Sequence, residues 1–429
     1  MGKWFAAVAV VVLATGCNFG ASAFHCDTEH TCGASGTCEA NGLCSFPDDS
    51  CGSGGQRYGD LSGDLSGKCV GGNQPPADAG TDTPIVPPVD ALVCYGTGTV
   101  KICLAAVPTQ PMTIGDQTLD TGVPAMCATT VTGGDNYCVV VATTITISGT
   151  LRATGTKPLV LIASDSITLT GSGLIDASSR RVRTAGAPET GAGADASTTI
   201  CAAGTAPTNR GGGAGGSFTG TGGTGGTGAG AAGGIAGTAA TLPIMVLRGG
   251  CPGQDGQGTT GSSGHGGGAV YLIAGTRIDI AGSGINAGGE GGGGGAIGAG
   301  GGGGGGAGGM IGLDAPTVML TGSATLVANG GGGGEGGSGG GTTAGADGAD
   351  GIMISAARGG NGNTGTGGDG GNGSTGPSSG VGMPGLPGSP TGPPANNNGG
   401  GGGGGGGAGI IKVFPASMNF GNKASPAAT

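Results

Sequence analysis

The sequence is short of most of what a soluble enzyme is built from. Only 9% of its 429 residues are charged and 3% are aromatic, with a single tryptophan. Fifteen Lys and Arg stand against 25 Asp and Glu, for a formal charge of −10. Cations this few and this scattered give no electrostatic footprint for a polyanion, which excludes nucleic acid as a partner. Beyond residue 17 no apolar run reaches the ~18 residues a spanning helix needs.

Glycine is in excess, at 115 residues. Residues 288–309 read GGEGGGGGAIGAGGGGGGGAGG and lead directly into MIGLDAPTVML, which has the composition of a buried strand. Glycine loses more conformational freedom on folding than any other residue, so such a run stays disordered unless something holds it. Yet 35% of the chain is hydrophobic, clustered in segments rich in Val, Ile, Leu and Thr. Those segments favour strands and predict one β domain interrupted by long insertions.

The first residues, MGKWFAAVAVVVLATGC, place Lys3 before an apolar stretch from Trp4 to Leu13 and small residues ending at Cys17. This is the pattern of a secretory signal, and it is too short to span a membrane. Small residues before a cysteine resemble the lipobox of bacterial lipoproteins. The resemblance implies cleavage before Cys17 and lipid on that residue, making the N-terminal lipid the membrane attachment. Thirteen cysteines are an odd count for an exported chain; acylation of Cys17 leaves twelve that can all pair.

Four domains follow: a signal over 1–16, a cysteine-rich module over 17–70, a linker over 71–93 and a glycine-rich domain over 94–429. In the module Cys26, Cys32, Cys38 and Cys44 lie six apart, with Cys51 and Cys69 after them. So little apolar content needs disulfides to fold, and in size the module resembles short EGF-like repeats. Zinc is the competing use of these thiols, but paired C-x-x-C spacing is missing. The linker, GGNQPPADAGTDTPIVPPVDA, is Pro-rich and acidic, a semi-rigid spacer. In the main domain Cys94, Cys103, Cys127, Cys138, Cys201 and Cys251 are expected to be disulfide-bonded. Cys201 and Cys251 bracket the uncharged stretch 211–247, and a bond between them would pin the largest insertion at its base.

Beneath the glycine the main domain repeats. VVVATTITISGTLRATG and PLVLIASDSITLTGSGLIDAS superpose with a shift of 22 residues, Ile145 on Ile167 and Ile147 on Leu169. AVYLIAGTRIDIAGSGINAG continues at a shift of 111 through Ile278 and Ile280, and MIGLDAPTVMLTGSATLVANG at 40 more through Val318 and Leu320. IIKVFPASMNFG follows through Met418 and Phe420, and VKICLAAVPTQPMTIGDQTLDTG is an earlier, weaker copy. A unit of strand, turn, alternating strand, Gly-Ser turn and third strand is one coil of a right-handed parallel β-helix. The paired apolar residues then stack inward, and Thr168, Asp279, Met319 and Asn419 face out. A β-sandwich is the alternative, but it needs hairpins, whereas these turns recur in phase.

All the long insertions, 178–268, 288–309 and 330–409, fall between a third strand and the next first strand, so they leave the coil at one corner. Runs such as GGTGGTGAG suit left-handed polyglycine II helices of three residues per turn, which can pack backbone to backbone. In composition they resemble the glycine-rich sandwiches of some phage adhesins and of an antifreeze protein. Loose solvated loops are the other reading.

Three short motifs bear on chemistry. SGHG at His265 with RID at Arg277 resembles two signatures of polygalacturonases, but Asp165 and Asp176 do not reproduce the paired aspartates that such cleavage requires. GADGADGIM resembles a calcium-binding β-roll nonapeptide; one copy cannot supply six to eight oxygens. GMPGLPGSP holds three collagen-like triplets, too few for a triple helix. No catalytic residue, metal site or cofactor is therefore expected. The chain as a whole resembles glycine-rich β-helix surface lipoproteins of Gram-negative bacteria. This implies export, lipid anchorage at the outer membrane or cell surface, and a structural or adhesive role. The alternative is a carbohydrate-active β-helix protein; the partner class expected is an extracellular polysaccharide or another cell-surface component.

Overall fold

The computed structural model describes residues 25–27, 31–33, 35–51, 55–71, 92–128, 131–134, 136–181, 190–197, 200–202, 204–258, 261–340, 343–362, 366–375, 399–415, 418 and 420–429. Cys17, nearly all of the linker and GMPGLPGSP lie outside them. The chain divides into two compact units, 1–86 and 87–429.

The first unit is held by three disulfides, Cys26–Cys38, Cys32–Cys44 and Cys51–Cys69. With cysteines six apart, each of the first two bonds joins residues 12 apart. They clamp a small antiparallel sheet of Thr37–Cys38, Cys44–Pro47 and Gln56–Tyr58. The sulfurs of Cys26, Cys32 and Cys38 lie within 4.8 Å of one another. Each is committed to a disulfide, so none is a thiolate able to hold zinc.

The second unit is all-β. Three sheets, parallel throughout, are assembled from strands that recur in the order first, second, third. The first holds Cys138–Ala142, Leu159–Ala163, Ala269–Ala274, Met310–Asp314 and Ile410–Phe414. The second holds Met112–Ile114, Ile145–Ile147, Ser166–Leu169, Arg277–Ile280 and Thr317–Leu320. The third runs from Gln117–Asp120 through Thr150–Thr154, Leu174–Asp176, Gly284–Asn286 and Thr325–Val327 to Ala424–Ser425. Each circuit of three strands stacks on the one before, as in a parallel β-helix.

The register matches the sequence repeat. Ile145 pairs with Ile167, Ile167 with Ile278 and Ile278 with Val318; Ile147, Leu169, Ile280 and Leu320 form a second ladder. All except the part-buried Leu320 are buried, and both ladders line one apolar core. Between them Met319 is 45% exposed, so an apolar side chain does occupy the outward position. The two ends of the domain differ from the repeat. In the weak early copy Ile102–Leu104 does not join the coil: it pairs antiparallel with Val93–Tyr95 and Val131–Thr132. In the last copy Met418 and Phe420 pack part-buried on the core, after which Gly421–Lys423 forms a 3-10 turn leading into the final strand. Asn419 lies outside the described residues.

The first sheet differs from the second for a physical reason. LVLIA and AVYLIA are buried at every position, whereas SITL alternates. A strand covered on both faces reads as a continuous apolar run. The outer cover comes from Val100, Ile102 and Leu104 on one side and from Phe218, Ile244, Leu247 and Ala307 of the insertions on the other. Buried Asp314 fastens the N-terminal cover, accepting from Thr97 N (2.6 Å), Thr97 Oγ1 (2.8 Å) and Gly98 N (2.9 Å). The remaining cysteines pair as Cys94–Cys103, Cys127–Cys138 and Cys201–Cys251.

Candidate functional site

All three long insertions leave after a third-sheet strand and return into a first-sheet strand, and together they form one body of extended glycine segments. Segment 300–309 shows how it is held. Amides 301, 304 and 307 donate to carbonyls of Gln257, Gln254 and Cys251; amides 302, 305 and 308 to Gly401, Gly404 and Gly407; amides 303, 306 and 309 to Gly293, Glu290 and Ala287. The partner changes with period three and advances by three residues each time, as three residues per turn require.

Its carbonyls follow the same rule. They accept from Gly213 and Gly216, from Gly261, Gly264 and Gly267, and from Gly331, Gly334 and Gly337. Six neighbouring segments, 251–257, 401–407, 287–293, 213–216, 261–267 and 331–337, thus surround one central strand in hexagonal packing. The segments are packed polyglycine II helices, and the loose-loop reading fails for them. A Cβ built at Gly302, Gly303 or Gly304 would lie 2.1, 2.0 or 1.9 Å from a neighbouring backbone oxygen. Glycine is required because six backbones crowd one axis, and the entropy it loses is offset by bonding every amide.

At the edges of the lattice, side chains replace the missing neighbours. Asp347 and Asp350, three apart on 345–351, accept from the amides of Gly294 (2.9 Å) and Gly291 (3.0 Å). That is the local role of GADGADGIM: its carboxylates face the backbone of 287–296 at the helical period. Buried Glu335 likewise receives the amides of Ala346 (2.9 Å) and Gly362 (2.7 Å), and Gln254 Oε1 that of Ala214 (3.3 Å).

A polar cluster lies on this body. Asp195, held at φ 52, grips His265 Nδ1 with one carboxylate oxygen and the amide of Gly266 with the other, at 2.7 Å. Glu290, fully buried, receives the amide of His265 at 3.1 Å through Oε2. Arg181 Nη2 lies 3.1 Å from Glu290 Oε1, an ion pair off the hydrogen-bonding axis, so that oxygen has no hydrogen bond among the described residues. Hydrogen bonding to Asp195 holds the His265 imidazole above its ordinary value, and burial pushes the carboxyls of Glu290 and Asp350 upward. Asp195 also lines a cleft of about 380 Å³ with Ser197, Ser217, Thr238 and Gln254, beside the Cys201–Cys251 bond.

The carboxylates singled out in the sequence lie elsewhere. Asp165 accepts from Thr276 Oγ1 at 2.8 Å. Asp176 is buried between Arg152, 3.3 Å away, and Arg180, and Arg277 pairs with Asp279 at 3.1 Å. The partner of His265 is Asp195, 70 residues earlier, in a loop that no repeat or motif marks. Outward-facing side chains on the glycine body recur every third residue: Thr221, Thr224 and Thr227 are all exposed. Among known protein families, curated proteins and solved structures, none matches this chain.

Proposed function

We propose that this is an exported, lipid-anchored structural or adhesive protein of the outer membrane or cell surface. Lipid on Cys17 would hold it to the membrane, and a right-handed β-helix, the sense that parallel crossovers almost always take, would carry a rigid glycine body as the display surface. The observation that carries this reading is the hexagonal packing of 300–309. It makes a glycine-rich insertion into a preorganised scaffold with side chains repeating along its outer segments, and preorganisation lowers the ordering cost of binding. Six disulfides suit an oxidising compartment. Binding and turnover against a panel of cell-wall and extracellular polysaccharides tests the role; binding without turnover is expected. A second reading, a carbohydrate-active β-helix protein, draws on the His265–Asp195 pair beside its cleft, and turnover abolished by His265→Gln would establish it. Mass spectrometry of the mature N-terminus tests the anchor: diacylglycerol on Cys17 is the expected result, and an unmodified cysteine there would remove the anchor.

A further inference from the structure

The disulfide at the base of the largest insertion, Cys201–Cys251, has a buried cation at one of its sulfurs. Arg248 Nη1 lies 3.8 Å from Cys251 Sγ and 3.2 Å from the carbonyl oxygen of Gly249, and the guanidinium carbon is 4.0 Å from the centroid of the Phe218 ring. Arg248 is only 9% exposed, and among the described residues no carboxylate pairs with it. Burial lowers its pKa to about 10, which still leaves it charged at neutral pH. The ring face and one carbonyl compensate such a charge less well than an anion would. Cys251 can supply that anion, because breaking its bond to Cys201 leaves a thiolate beside the guanidinium.

The two sulfurs differ in access as well as in charge. Cys251 is 7% exposed and Cys201 is half-buried, and both line the cleft of about 380 Å³ whose wall includes Ser197, Thr238 and Gln254. A cleft of this size admits a small molecule and gives it polar groups to lie against.

We propose that Cys201–Cys251 is a modification site, at which a small polar thiol entering the cleft forms a mixed disulfide with Cys201 and releases Cys251 as a thiolate held by Arg248. The incoming thiolate attacks Cys201 Sγ. A new S–S bond forms there, the Cys201–Cys251 bond breaks, and its electron pair leaves on Cys251 Sγ. The external thiol is oxidised and Cys251 is reduced, so no further reagent is needed. A thiol of lower pKa leaves faster, and an adjacent guanidinium lowers the pKa of Cys251, so charge and access select the same direction of attack.

The glycine lattice makes the exchange local and reversible. Ala307 N donates to Cys251 O at 3.0 Å, Gly253 N to Gly264 O at 2.9 Å and Gly304 N to Gln254 O at 2.9 Å, so the leaving sulfur stays in place on a bonded segment. Cys201 sits on a short turn, its amide donating to Ser197 O at 2.8 Å. Opening the bond therefore loosens that turn and leaves the lattice whole, and when the thiol is withdrawn Cys251 is positioned to attack the adduct and close the bond again.

The test treats the native full chain with cysteamine, traps free thiols with iodoacetamide and maps both labels by mass spectrometry, for the wild type, Arg248→Gln and Arg248→Lys. In the wild type cysteamine should be found on Cys201 and the alkyl label on Cys251. Arg248→Gln should slow this opening on the order of 10-fold, and Arg248→Lys should restore most of it, since the cation sets the leaving-group pKa. Exchange at the other five disulfides should be the same in all three proteins, and protected amides at Gly301, Gly304 and Ala307 certify the lattice. An adduct on Cys251 with Cys201 free overturns the proposal, as does a bond that stays closed in the folded wild type; both results stand whether or not a variant folds. An equal or faster opening in Arg248→Gln with the lattice amides still protected overturns it too.

Discussion

Replacing Gly303 by alanine isolates the principle that holds the glycine body together. The new Cβ would lie 2.0 Å from the carbonyl oxygen of Ser262, against the ~3 Å that real contacts tolerate, so that oxygen or the strand must move by about 1 Å. Ser262 O accepts from Gly293 N at 2.7 Å, Gly303 N donates to Gly293 O at 2.8 Å, and Gly334 N donates to Gly303 O at 2.8 Å. Overpacking costs about 1–3 kcal/mol and three strained hydrogen bonds about 1 kcal/mol each, for roughly 4–6 kcal/mol in all. For a domain this large that corresponds to a fall of roughly 6–8 °C in Tm. Gly340→Ala is the control: its Cβ meets nothing within 4 Å, so restricting the unfolded chain should stabilise by about 0.4–1 kcal/mol. Scanning calorimetry suits the measurement, because the only tryptophan, Trp4, falls in the N-terminal stretch expected to be a signal. Amide exchange over 287–309 adds a local readout. Equal midpoints for the two variants would refute backbone-to-backbone packing of 300–309.

Three further outcomes follow from the geometry. Ile167→Asp should destabilise the coil by several kcal/mol and Thr168→Asp by no more than about 0.5, because Ile167 is fully buried and Thr168 is not; equal effects on Tm would contradict the strand register. Loss of the Cys201–Cys251 bond by Cys201→Ser with Cys251→Ser should cost about 4 kcal/mol, the closure entropy of a loop with a sequence separation of 50. This is measured by urea unfolding and overturned by a change under about 1 kcal/mol. The polar cluster should lose stability as pH rises. His265 binds its proton more tightly folded than at its ordinary 6.5, so its contribution is whole below 6.5 and vanishes as pH passes its raised value. Glu290 and Asp350, also raised, hold protons that the unfolded chain has released, so stability again falls with rising pH above their ordinary 4.5 and 3.8. The Tm gap between the wild type and His265→Gln should therefore narrow from pH 6 to pH 8; a widening gap would reverse the assigned sign.

The sequence alone determined the coil. A strand with one face buried cannot slip by one residue without exchanging its faces, so Ile145, Ile167, Ile278 and Val318 carry their pairing in their spacing. Cysteine parity likewise left twelve thiols for six bonds. The insertion corner was legible too, because residues added between repeats can leave the coil only where the phase breaks. Tertiary structure decided the rest. Glycine has no side chain to show which neighbour it faces, so GGGGGGG at 300–306 reads alike for a solvated loop and for a strand enclosed by six others; hydrogen bonds from segments up to about 100 residues away make the difference. The same holds for Asp347 and Asp350, whose local pattern suggested a cation and whose oxygens meet the amides of Gly294 and Gly291. His265 was visible in sequence but its partner was not, since Asp195 reaches it only because the largest insertion folds back past its own base. Local patterns encode contacts made by side chains with a period; contacts made by bare backbone exist only once distant segments have been brought side by side.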